Sequence, residues 1–231
     1  MAITFKKSFA FAKRYDATKQ HGFTLVEMLV VVGIFAMVAT VLLFRYSDFN
    51  TSIALRDLAA EMGLSIRKAQ TYATSVRSVE GGGGILSDTF PAYGVSFAVN
   101  PTAQKTYGPT DMSFTLFVDA SPSGNKTTNN QFDNNGTCGN PDIGQECVES
   151  FGITAGDKIV SLCTDKPLAN SCFTSSGTVN VVFHRPNPDA IICVMNGSSC
   201  TVASYLKITV QSPKGQTRLI TIWNTGQISV N

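Results

Sequence analysis

Residues 23–44, FTLVEMLVVVGIFAMVATVLLF, are apolar at almost every position. A helix needs about 20 such residues to cross a bilayer, so this run is long enough to span one. The 22 residues before it are polar and basic, while Arg45 and Asp48 follow it closely. Positive charge concentrated on the N-terminal side places that side in the cytoplasm and sends the rest of the chain outward.

The pattern then changes from uniformly apolar to periodic. Leu55, Leu58, Met62, Ile66, Ala69, Ala73 and Val76 recur at steps of three or four, which is one apolar stripe along a helix. Arg56, Asp57, Glu61, Arg67, Lys68 and Arg77 fall off the stripe, as a solvated face would. No proline occurs before Pro91, so nothing compels a break, and the spacing predicts one helix from Thr24 to Val79. At 1.5 Å per residue it would be about 84 Å long. The glycine run 81–84 is expected to end it.

From there the period shortens to two. Segments 92–99, 113–120, 157–163, 178–185, 190–195, 205–211, 217–223 and 226–230 are rich in β-branched and aromatic residues and bounded by Gly, Pro, Asn or Asp. They read as strands. The last three are expected to pair antiparallel through turns at 212–215 and 224–226. Residues 121–150 read as one long polar loop. A helix of this length cannot bury itself, so its lower half needs lipid or neighbouring subunits and its upper stripe needs the sheet.

Charge alters the picture because it is uneven. Five of the 18 basic and one of the 16 acidic side chains lie in residues 1–22, so the remaining chain is mildly acidic. That gives no bulk electrostatic reason to bind nucleic acid, although a local patch is left open. The six cysteines, Cys138, Cys147, Cys163, Cys172, Cys193 and Cys200, all lie in the second half. An even number in an exported segment points to disulfides, and no pair has the close spacing of most zinc sites. If Asn196-Gly197 forms a two-residue turn, Met195 faces Ser198 and Cys193 faces Cys200 at a separation a disulfide accepts. Cys138–Cys147 and Cys163–Cys172 would be similar short-loop bridges, among about 15 possible connectivities.

One motif carries most of the functional information. In HGFTLVEMLVVVGI, Gly22 ends the basic segment, Phe23 opens the apolar run, and Glu27 is a lone acid inside it. This closely resembles the type III signal of type IV prepilins and type II secretion pseudopilins. The resemblance implies cleavage after Gly22 by a membrane-embedded prepilin peptidase and N-methylation of the new amine on Phe23. It divides the chain into a cleaved leader (1–22), a transmembrane half-helix (23–44), an amphipathic half-helix outside the membrane (45–80) and a β-rich head (85–231). A secretory signal would instead be cut after its apolar stretch. Physics singles out Glu27 as well. A carboxylate within a membrane helix costs roughly 2.5–3.5 kcal/mol, and no Lys or Arg lies between residues 23 and 44. The nearest cation would be the amine freed by cleavage. In the family that pairing is thought to hold an incoming subunit in register, a role carried here to Glu27 alone. Gly33 either lets helices approach closely or is simply tolerated in a membrane helix.

Residues 205–230, YLKITVQSPKGQTRLITIWNTGQISV, are similar to the end of H-type pseudopilins and the related minor pilins of the GspH/FimT family. Many major pilins carry a proline near the far end of the membrane segment, where this chain has Phe44 and Arg45. Both features favour a minor pilin or pseudopilin.

Other chemistry is sparse. Asp119, Asp133, Asn135, Asp142 and Glu146 are candidate calcium ligands, but the order is wrong for an EF-hand, and a solvated turn region is the preferred reading. His184, in a strand beside Arg185, reads as structural. No nucleophile elbow, P-loop or zinc-protease motif occurs, and neither an enzyme nor a cofactor is expected. The expected fold is α+β, a pilin-like lollipop whose long N-terminal helix packs on an antiparallel sheet domain. The expected function is structural: a single-pass inner-membrane subunit, N-terminus cytoplasmic and head periplasmic or extracellular, which later enters a pilus or pseudopilus fibre. Its expected partners are prepilin peptidase, other pilin or pseudopilin subunits, the inner-membrane assembly platform and the lipid bilayer. The alternative is a tip subunit acting in adhesion or DNA uptake.

Overall fold

The computed structural model describes residues 22–75, 91–99, 109–119, 129–132, 138, 146–167, 171–197 and 199–231, except the side chains of 44–48. The leader up to His21, Val76, the glycine run 81–84, Asp133, Asn135 and Asp142 lie outside the described residues. The chain divides into two compact units, residues 1–46 and 47–231. Helix α1, Leu25–Thr74, belongs to the first by its N-terminal part and to the second by the remainder.

In the first unit Thr24 starts the helix. Its hydroxyl accepts the Glu27 amide at 3.2 Å, and its carbonyl accepts the Met28 amide at 3.1 Å. This satisfies one of the amide groups that every helix N-terminus leaves without an internal partner. Leu25–Leu43 is a 19-residue span of mean hydropathy 2.6 with none of it buried.

The second unit is built from the rest of α1 and eleven strands in two antiparallel sheets. The first sheet has the order β3 (Cys147–Gly152), β2 (Ser113–Asp119), β1 (Ala92–Val99), β6 (Gly177–Phe183), β7 (Ala190–Asn196), β8 (Ser199–Ala203). The second runs β11 (Ile228–Val230), β10 (Thr217–Trp223), β9 (Tyr205–Gln211), β4 (Lys158–Thr164), β5 (Ser171–Phe173). One core joins helix and sheets. Leu55, Leu58, Met62, Ile66, Ala69 and Ala73 of α1 pack with Tyr93, Val95 and Phe97 of β1 and with Leu206, Ile208 and Val210 of β9. The helical stripe and the strand alternation thus meet in one apolar interior, at about 25 cal/mol per Å² removed from water. Tyr72 meets Tyr93 edge-on at 5.6 Å, Lys68 pairs with Glu149, and Gln70 Nε2 donates to the Pro188 carbonyl at 2.9 Å.

Three features differ from the sequence expectation. First, strands β3 and β5 lie where no strand is read, β8 is foreseen only as the far side of the conditional Asn196-Gly197 turn, and β3 occupies the end of the expected long loop. These are edge or near-edge strands with mixed burial, so they lack the clean alternation of a half-buried strand. Second, β1 is buried on both faces. Part of the expected loop covers the other face of the sheet, where Phe132 packs against a small cluster of Ala92 of β1, Phe117 of β2 and Val182 of β6. Asp119 accepts the amides of Asn129 (3.3 Å) and Asn130 (2.8 Å), and the Phe132 ring stands 5.4 Å from Phe117. Third, Lys68 keeps a partly exposed side chain, as expected, but is not free in solvent, since Glu149 of β3 pairs with it from the sheet.

Candidate functional site

Gly22 and Phe23 precede the helix in an exposed, non-helical stretch, with Phe23 73% exposed. A Cβ placed on Gly22 would meet no atom within 4 Å. Packing within the described chain therefore makes no demand for glycine there. Gly33 is equally open. Glu27 stands in the first helical turn, where a negative charge also suits the partial positive charge of the helix N-terminus. Its carboxylate forms no ion pair among the described residues. The sequence reading overlooked Thr24: Thr-x-x-Glu ahead of an apolar run is the signature of a capping box, and the Thr24 half of it is present. Together these residues make an exposed non-helical stretch leading into a capped apolar helix with one acid.

In the head, the structure brings three cysteine pairs to disulfide distance: Cys138–Cys147, Cys163–Cys172 and Cys193–Cys200, with Cα separations of 4.6, 4.0 and 5.3 Å. Cys163 lies directly opposite Cys172 in the β4–β5 ladder. The β7–β8 register corrects the expected one. Met195 faces Cys200 and Cys193 faces Val202, so the turn is centred on Gly197 and residue 198, one position later than expected. Because the shift preserves parity, Cys193 and Cys200 still share a face and join diagonally. Gly197, at φ +63°, takes the left-handed conformation this tight turn requires.

Of the calcium candidates, Asp119 and Glu146 are buried, and Asp119 is already an acceptor for two backbone amides. Asp133, Asn135 and Asp142 lie outside the described residues, and among the described residues no group of three His, Cys, Asp or Glu side chains is placed to hold a metal ion. His184 is half-buried with Nε2 2.6 Å from Asn130 Oδ1, and burial lowers its pKa.

The prokaryotic N-terminal methylation motif matches residues 17–43. No curated protein and no solved structure matches the chain. The motif supports a type IV pilin-like protein, and it implies processing by prepilin peptidase and assembly with other pilins. Proteins bearing this motif are structural rather than enzymatic. The exposed apolar helix near the N-terminus is consistent with a single-pass membrane anchor.

Proposed function

We propose that this protein is a minor pilin or pseudopilin of a type IV pilus or type II secretion pseudopilus, related to the GspH/FimT group. It is cut after Gly22, methylated on Phe23, and held in the inner membrane by residues 23–44 until it joins the fibre through its helix. The observation that carries this reading is an exposed 19-residue apolar helix starting three residues after a glycine that its own chain does not require. Fully burying each Val, Leu, Ile or Phe of that helix is worth about 1.5–3 kcal/mol, which lipid supplies first and neighbouring helices later. Glu27 then pairs with the new amine of an adjacent subunit, offsetting its cost in the apolar layer.

The test is expression with an active prepilin peptidase, followed by mass spectrometry of the membrane and fibre fractions. The mature protein should begin at a methylated Phe23. Gly22→Val should accumulate as precursor, whereas Glu27→Gln should be processed normally yet be missing from fibres. Mature protein that still begins upstream of Phe23 would overturn the reading.

A further inference from the structure

A cavity of about 240 Å³ lies within the second unit, between the Ala54–Glu61 stretch of α1 and the Gly152–Asp157 turn that carries the chain from β3 of one sheet to β4 of the other. Three carboxylates line it, and no basic residue does. Asp57 and Glu61 are exposed at its rim, one helical turn apart. Neither forms an ion pair among the described residues. Asp157 also lines it, 2% exposed, and its Oδ1 is buried without a hydrogen-bond partner among the described residues. Its backbone amide is bonded to the Thr154 carbonyl, so the turn itself holds the residue in place. Ala54, Leu58 and Ile153 make the remaining wall apolar.

Like charges gathered this way repel one another, and a buried carboxylate oxygen lacking a donor is costly. Burial accordingly pushes the Asp157 carboxyl above its ordinary value. A cation would relieve both penalties. A bare metal ion fits poorly. At about 240 Å³ the cavity is far larger than one ion needs, and no three His, Cys, Asp or Glu side chains converge as metal ligands among the described residues. A charged head on an aliphatic stem matches both the carboxylates and the apolar wall.

We propose that this cavity binds an organic cation, a guanidinium or ammonium on an aliphatic stem, with Asp57, Glu61 and Asp157 as its counter-charges. The group comes either from a free amine or from an arginine or lysine of another copy of the chain. The site does not depend on the fibre reading, since it uses only residues of the second unit.

The test is titration of the full-length protein in non-ionic detergent with agmatine, followed by ligand-observed NMR. Saturable binding should weaken about tenfold in Asp157→Asn, the loss of one charge-assisted hydrogen bond. It should weaken in the same direction in the Asp57→Asn/Glu61→Gln double variant, whose changes are on the surface and decide the matter if Asp157→Asn fails to fold. Calcium chloride at equal charge concentration should compete only weakly. No saturable binding by the wild type, equal binding by all variants, or full displacement by calcium would each overturn the proposal. Sedimentation velocity separates the two sources. Agmatine that dissolves self-association of the wild type places the cation on a second copy, and binding without that effect makes the ligand a free amine.

Discussion

His184 couples the strap at 129–132 to acid pH. Its pKa is lowered by burial, so the folded protein binds fewer protons than the unfolded chain once pH drops below about 6.5. Stability should therefore be intact above that value and fall as pH moves from 6.5 down through the folded pKa. His184→Gln keeps a group able to reach Asn130 and should flatten this slope, as judged by melting temperatures between pH 7 and 5. Asp157 has the opposite sign. Its folded pKa is raised above 3.8, so its ionisation costs stability at neutral pH, and that cost fades as pH falls through the raised value towards 3.8. The gain in melting temperature from Asp157→Asn should be largest near pH 7 and shrink at pH 4.

Helix α1 has two environments, and mutations in its second half should distinguish buried positions from exposed ones. Met62 is fully buried and Leu64, two residues on, is 66% exposed. Met62→Ala should cost about 2–5 kcal/mol and Leu64→Ala no more than about 0.5. Fluorescence of Trp223, the sole tryptophan, reports the unfolding. Among the strands, Gly94 of β1 has no room for a side chain, because a Cβ would come within 2.8 Å of both the Phe117 ring and the Val181 carbonyl. Gly94→Ala should therefore be as damaging as a core cavity, by the same measurement. The helix stripe and most strands are legible in sequence, since burial against a single interior leaves period-3.6 and period-2 signals. The exceptions follow the same physics. β5 has three residues, and β3 and β8 are edge strands whose exposure does not alternate with the pleat. Strand order is another matter: β1 lies beside β6, and periodicity names a face without naming a neighbour.

For the whole molecule, the two units should behave as different substances. Full-length protein should enter the detergent-rich phase on cloud-point partition, and residues 47–231 should stay in the aqueous phase; the full chain in the aqueous phase would contradict a membrane anchor. Native alkylation should label no thiol, and reduction should expose six. The residues proposed for processing and assembly, Gly22, Phe23 and Glu27, could be proposed from sequence because they are contiguous with the apolar run that the methylation motif covers. The carboxylate cavity could not, because Asp57 and Asp157 meet only after the chain has crossed between sheets.

The second sheet ends on β11 and β5, each three residues long. So short a border offers few free amides and carbonyls for another chain to zip onto. Stacking of copies through the borders of this sheet, which would give a reflection at about 4.7 Å along a fibre axis, is therefore disfavoured.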